Sequence, residues 1–438
     1  MNIIEKTKYY LKEINNLLNS KEKKEKQLPA NAYFIDEQTI LISNPLQSNA
    51  RHPYQVNGLT LWVYASGYIS LNKSTFYYIL PANDGNEPFV SFTAGIKKNN
   101  AFTPLSLLPN LQINTNKHFT IFTNNETLFF TIYQDVAFMV SLRLSQDSSF
   151  LISLVALNLT SNKKTIYLSS YINPLFKHET AESIETKWFK KGLYHNNTFS
   201  FFSHEDISRG QRLYNYGLIK RKHFDKVEVV YNTTSKHDYK GINTQLHHSY
   251  SLKEGKFKEN RELTIFDDTA ILGDYNHYIL NESIVLGYRI QYYNNEKDYQ
   301  LALKTDNIPL EVNNKLNDFD IHFNDIENKS PYIFNSFIKQ VINQVDYSAY
   351  STNSGTIFLG VRDVCQMLET SLLWNKKETR KKILEVFSFI DPSGQVPRQY
   401  SLPFDDLNAK MDLREFIDQG LWLINLIYEY LAYSNDYS

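Results

Sequence analysis

The apolar positions fall into three regimes along the chain. Over roughly the first 25 residues, Ile3, Ile4, Tyr9, Leu11, Ile14, Leu17 and Leu18 make a ragged stripe at helical spacing, ended by the charged run "KEKKEK". This predicts an amphipathic helix that is either peripheral or faces a partner. From about residue 30 to 320 the apolar runs shorten to strand length. "ETLFFTIYQDVAFMVSLRLSQDSSFLISLVALNLTSNKKTIYLSSYI" divides into four β-rich runs, with "QD", "QDSS" and "TSNKK" as turn chemistry between them. "KVEVVYNTT" and "ESIVLGYRIQYYN" repeat the style, so the spacing predicts a large antiparallel two-sheet sandwich. No repeat is regular enough to suggest a propeller.

The third regime opens at Ser330-Pro331, a favourable N-cap followed by proline at the first helical position. Ile333, Phe334, Phe337, Ile338, Val341, Ile342 and Val345 then predict a connecting helix that ends near Asp346. Three further helices follow. One runs from about Asp363 to Trp374, a second from about Lys377 to Phe389, and a third from about Leu413 to Tyr433. The pattern predicts an α+β multidomain chain: a helix over 1–28, a β-sandwich over 29–325, a helical linker over 326–348 and helical hairpins over 349–438. Three or four helices cannot close a helical barrel, so the expectation is a barrel begun but not completed.

Composition narrows the partners. The 438 residues carry 46 Lys+Arg against 47 Asp+Glu, so no bulk field favours nucleic acid or an anionic membrane. The single Cys365 excludes a disulfide framework and a cysteine zinc cage. The amino-terminal stretch is broken by lysines and glutamates and is no secretory signal. No run approaches the roughly 18 apolar residues of a membrane helix. A cytoplasmic location is the expectation. The 31 Tyr, 28 Phe and 4 Trp could form a sugar-stacking surface, but packing between strands is the simpler use of so many.

Candidate chemistry concentrates near the end. "GVRD" sets Arg362 beside Asp363 at the mouth of a predicted helix; the pair could merely cap it and neutralise itself. Asp391 to Arg414 holds three prolines and a glycine with no period, which favours a functional loop over a linker. Its Arg398, Gln399 and Tyr400 offer planar donors and an aromatic face, and Asp405, Asp406 and Asp412 offer acceptors. Such a set suits sugar hydroxyls, and arginine also suits phosphate. Asp418 lies among Phe416, Ile417, Leu421, Trp422 and Leu423, so its carboxylate must enter a cavity or find a partner. Desolvation would raise its pKa and a helix start would lower it. A structural pairing with Arg414, one turn back, stands level with catalysis. No His, Glu or Asp spacing points to a metal. Cys365 falls on the apolar face, as core.

Taken together, "NSGTIFLGVRDVCQ", "FIDPSGQVPRQYSLP" and "MDLREFIDQGLWLINLIYEYL" resemble the phosphorylases of glycoside hydrolase family 94, and within them the 1,2-β-oligoglucan phosphorylases. The likeness spans roughly residues 351–435 and is architectural over the remainder. It implies a supersandwich-like β domain, a helical linker and an α/α six-hairpin barrel. The implied reaction is inverting: phosphate attacks the anomeric carbon of a β-linked glucosyl unit while one carboxylic acid protonates the departing oxygen. Inverting hydrolases need an acid and a base; here the anionic phosphate makes the base unnecessary. The resemblance places the general acid at Asp418. Gln419 and Gly420 depart from the Asp-Asp-x-Leu-Trp-like signature, which fits the oligoglucan branch better than the cellobiose branch. Arg362 and Asp363 would line the glucose subsite, with Gln366 one turn on. Arg398, Gln399 and Tyr400 would reach toward the acceptor side with Asp412, and Arg414 would flank the acid. The implied partners are a glucooligosaccharide and inorganic phosphate as co-substrate, with no cofactor. A homodimer or a complementary carboxy-terminal half is a further expectation. The family's phosphate ligands come from later helices, so the chain alone is expected to be inactive: a fragment, a truncated product or half of a split enzyme. The alternatives are a non-catalytic glucan-binding remnant and the related domain of a cyclic β-1,2-glucan synthase.

Overall fold

The structure, a computed structural model, describes residues 2–309 apart from 20–26, 29–30, 37–38, 57, 74–76, 85–86, 112, 114–116, 176, 179–189, 208–210, 242–243, 260, 264–269, 294 and 306–307; then Ile338, Val341, Ile342 and Val345; and residues 358–438 apart from 403–408 and 416. Among these residues the α-helices are α1 (Ile3–Asn19), α2 (Lys236–Lys240), α3 (Ser251–Glu254), α4 (Glu296–Leu303), α5 (Val361–Ser371), α6 (Lys376–Phe387) and α7 (Gln419–Ser434). The predicted connecting helix lies mostly outside the described residues; Ile338, Val341, Ile342 and Val345 are helical.

Large antiparallel sheets make up most of the fold. One has twelve strands, with Lys117–Phe122, Thr127–Tyr133, Val136–Leu144, Phe150–Asn158, Ser283–Tyr293 and Gln211–His223 as its successive central members. A five-stranded sheet runs Ala101–Ser106, Val90–Lys98, Lys164–Ile172, Ala270–Leu280, Val229–Ser235. A second five-stranded sheet ends in Leu59–Tyr64 and Arg51–Val56. Their inner faces share one core, in which Phe129, Phe138 and Leu154 of the large sheet meet Phe92, Leu168 and Leu272 of the first smaller one and Leu61 of the second. Each such side chain, removed from water, contributes roughly 1.5–3 kcal/mol.

Strand Val136–Leu144 shows why its sequence reads as almost continuously apolar: all nine residues are buried. Val136, Phe138, Val140, Leu142 and Leu144 point into the sandwich core. Ala137 and Met139 point to the opposite face, where Ile3, Ile14 and Leu17 of α1 cover them. The amphipathic helix is thus neither peripheral nor a free arm; its apolar stripe completes a second core, and Lys6 pins it through Glu126 at 2.5 Å.

The four strands expected between residues 126 and 172 form with turns where the separators stand. "QD" is a two-residue turn in which Gln134 and Asp135 both have positive φ, the geometry whose twist suits a tight hairpin. The simple meander fails at the fourth strand. Lys164–Ile172 leaves the large sheet and pairs with Val90–Lys98 and Ala270–Leu280 in the sheet opposite. Part of the aromatic content is packing: Tyr54, Tyr167, Tyr171, Tyr275, Tyr278 and Tyr288 are fully buried. Among the described residues no helix is long and apolar enough to cross a membrane.

The carboxy-terminal helices pack around a separate cluster that includes Leu359, Val364, Leu368, Leu372, Val386, Leu423 and Leu426. A three-stranded antiparallel sheet stands beside them, formed by Leu359–Gly360, Gln399–Ser401 and Lys410–Asp412.

Candidate functional site: an aspartate between two helix starts

Helix α5 begins where the first strand of the small sheet ends. Gly360 is its N-cap and supplies no side-chain cap, while Asp363 in the first turn complements the helix dipole. Strand pairing sets Gln399 opposite Gly360, and the Val361 amide donates to the Arg398 carbonyl at 3.1 Å. The start of α5 is therefore fastened to the proline-studded segment, in which Gln399–Ser401 and Lys410–Asp412 are strands of the small sheet.

Arg362 does not pair with its neighbour. Its Nη1 donates to Asp418 Oδ2 at 3.3 Å, across the start of α7, while Asp363 stays exposed. Helix α7 starts at Gln419, later than Leu413, because Lys410–Asp412 is drawn into the small sheet. Asp418 becomes the N-cap, yet its side chain does not cap the helix. It accepts instead from the Trp422 indole Nε1 at 3.1 Å, one turn on. Both donors converge on Oδ2, whereas Oδ1 is closed from solvent and has no protein donor. The adjacent Gln419, almost fully buried, gives its Nε2 to the Val396 carbonyl at 2.6 Å and leaves Oε1 without a donor. The Trp422 N–H, with the Arg362 guanidinium behind it, holds the Asp418 carboxyl below the usual aspartate range despite its partial burial. In the unliganded chain this group is a carboxylate.

The pairing of Asp418 with Arg414, one of the two alternatives, does not form. Arg414 is exposed and clamps Asp412, with Nε 2.9 Å from Oδ1 and Nη2 2.6 Å from Oδ2. Gln399 Nε2 reaches the same carboxylate at 2.9 Å. Arg414, with Gln399 assisting, holds the Asp412 carboxyl far below its ordinary value. Tyr400 is a correction. It is wholly buried, stacked on Phe389 at 4.5 Å between ring centres, and its hydroxyl donates to Glu385 at 2.7 Å, so it cannot meet a ligand. The strand alternation that leaves Gln399 half exposed turns Tyr400 inward. Gln366 is half-buried on α5, Arg398 is exposed, and Asp405 and Asp406 lie outside the described residues. Cys365 is in the core, where burial, with Glu369 nearby, pushes its thiol up to about 12.

The structure thus brings Arg362 and Asp418 into one cluster and Gln399, Asp412 and Arg414 into another, joined through the small sheet. Trp422 is the member that residue-by-residue reading missed as a donor. Its i, i+4 spacing from Asp418 was the available signal.

No protein-family model matches the chain, and no curated protein matches it. Among solved structures, a human-microbiome protein provisionally assigned as a kojibiose phosphorylase is similar over 94% of this chain, with 7% identity and a TM-score of 0.47. A polysaccharide lyase is similar over 58% of this chain and 34% of its own, with 8% identity and a TM-score of 0.31. A heparinase III covers 62% and 37% respectively, with 11% identity and a TM-score of 0.25. The chain spans 58% of the length of the first of these. At such scores the likeness carries no argument about chemistry, and the function has to be argued from the residues.

Proposed function

We infer that Arg362, Asp418 and Trp422 form one wall of a saccharide site, and that Asp418 is the general acid of an inverting phosphorolysis of β-1,2-linked glucooligosaccharides, with inorganic phosphate as co-substrate. The observation that carries the reading is the divided carboxylate of Asp418: Oδ2 is held by two donors while Oδ1 has none. Oδ1 is closed from solvent, so in the proposed cycle the carboxyl turns about Cβ–Cγ once Arg362 lets go and presents a protonated oxygen to the departing glycosidic oxygen. A general acid works best with a pKa near the operating pH, whereas Asp418 rests ionised. Saccharide entry resolves this in the proposed cycle. A sugar hydroxyl takes the Arg362 donor and the sugar ring excludes water, and both changes raise the Asp418 pKa. The outward face of α7 carries Leu421, Ile424 and Tyr428, all exposed, which supports further helices packing there as a complementary carboxy-terminal half of a barrel.

A second reading, a glucan-binding protein without catalysis, is favoured by the same resting ion pair, because a permanently ionised Asp418 could only accept hydrogen bonds. The two separate on phosphate-dependent release of α-glucose 1-phosphate from β-1,2-glucooligosaccharides, assayed with the chain alone and with a complementary carboxy-terminal half. Asp418→Asn is expected to lower that release by roughly 10²–10⁴-fold and to leave saccharide binding in place. Full release by the Asn variant, or an equal rate without phosphate, contradicts the assignment.

A further inference from the structure

We propose that a cleft between α1 and two turns of the sandwich binds a sugar phosphate. The cleft is open to solvent, has a volume of about 710 Å³ and lies far along the chain from Asp418, on residues that the phosphorolysis reading does not use. A volume of this order suits a small organic ligand. One wall is the outer side of α1, with Lys8, Leu11, Lys12, Asn15 and Asn16; the other is the turn at residues 157–163 together with Asn281 and Glu282.

Three ammonium groups face this space, Lys8 and Lys12 one helical turn apart and Lys163 from the opposite turn. Among the described residues none of the three is in an ion pair or a side-chain hydrogen bond. The neighbouring Lys164, by contrast, is committed to Asp135 at 3.6 Å. Glu282 is the one carboxylate in the lining, so the cleft keeps a net positive charge. A phosphate group, carrying up to two negative charges and several strong acceptors, is the complement of three ammonium donors around one cleft.

The remaining lining argues for a sugar attached to that phosphate. Leu11 and Leu159 offer an apolar strip for the C–H face of a ring, and Asn15, Asn16, Ser161 and Asn281 surround it with amides and a hydroxyl. The walls are already rigid. Helix α1 is fastened by Ile3, Ile14 and Leu17 in the core and by Lys6 on Glu126. The turn is braced by the Asn158 amide, which donates to the Asn162 carbonyl at 2.7 Å and the Asn281 carbonyl at 2.9 Å. A preformed cleft loses little conformational freedom on binding.

The test is calorimetric titration of the chain with glucose 6-phosphate, inorganic phosphate and glucose, repeated on a Lys8→Gln/Lys12→Gln/Lys163→Gln variant and on Asp418→Asn. Saturable binding of glucose 6-phosphate is expected. It should be at least about tenfold tighter than that of inorganic phosphate or glucose, weakened roughly tenfold or more in the triple variant, and unchanged in Asp418→Asn. Circular dichroism of the triple variant should match the parent, since all three lysines are exposed. The proposal is overturned by the absence of saturable binding, by binding that the lysine variant retains, by glucose or inorganic phosphate binding as tightly, or by loss of binding in Asp418→Asn alone.

Discussion

Two arginine–aspartate pairs sit at opposite ends of the chain's design. Arg221 and Asp274 join the twelve-stranded sheet to the five-stranded one at 3.0 Å, with both side chains fully buried. Arg362 and Asp418 join two helix starts at 3.3 Å, with side chains 42% and 34% exposed. The buried aspartate uses both oxygens: Oδ1 accepts from the Ser170 amide at 2.9 Å, and Oδ2 from Arg221 and from the Tyr288 hydroxyl at 2.7 Å. Arg221 also binds Asn232 at 2.6 Å and Asn197 at 2.7 Å through its terminal nitrogens. An aspartate satisfied at both oxygens in this way fixes how the sheets face each other and has no oxygen left to offer a ligand; among the described residues, Arg221 Nε is the atom of the pair left without a partner. The helical pair keeps one carboxylate oxygen without a protein donor and is open to water on one side. The difference lies in the degree of satisfaction and not in the residue types.

The comparison breaks most visibly under mutation. Arg221→Met strands the Asp274 charge in the interior and should cost about 3–5 kcal/mol in denaturant unfolding, by analogy with other buried pairs from which one partner is removed. A loss under about 1 kcal/mol would mean that the pair does not hold the sheets together. Acid adds a second effect on the same side. His223 bonds the Tyr278 hydroxyl at 2.8 Å, and burial, with Arg221 nearby, takes its pKa down to about 3. Below pH about 6.5 the unfolded chain therefore binds a proton that the folded chain refuses. Stability should fall from that pH down to about 3, by at most roughly 1.4 kcal/mol per pH unit, and His223→Gln should flatten this part of the profile. An unchanged profile in the variant would remove His223 from the account. The smallest effect belongs to the exposed pair. Arg362→Gln should change stability by less than about 1 kcal/mol, yet raise the Asp418 pKa toward the ordinary aspartate value in a carboxyl NMR titration. A large stability loss there would make the pair structural like the other.

The two regions were unequally legible in the sequence. Turn separators and apolar runs marked the strands because both signals are local: Gln134-Asp135 needs only its own backbone to turn the chain. The departure of Lys164–Ile172 to the opposite sheet depends on residues about 100 positions away, and the Arg221 partner of Asp274 stands 53 positions before it, separations that periodicity does not register. At the helical end, the start of α7 was placed too early because Leu413 continues the apolar spacing. What delays the start of the helix to Gln419 is the pairing of Lys410–Asp412 with Gln399–Ser401 and the Arg414–Asp412 clamp. Tyr400 was read by chemical type, as an aromatic face, where the strand's alternation decided its direction. Arg362 and Asp418 were both singled out; their contact was not foreseen, since Asp363 stood nearer in sequence.

The account rests on the Arg362–Asp418 contact giving way to a saccharide. Its most direct measurement is a carboxyl ¹³C NMR titration of Asp418, assigned against Asp418→Asn, with and without a β-1,2-glucooligosaccharide. The predicted result is a pKa below the ordinary aspartate value in the free chain that rises when the saccharide is present. A pKa that stays low and does not move with saccharide would contradict it, and would leave Asp418 as the acceptor of a static ion pair.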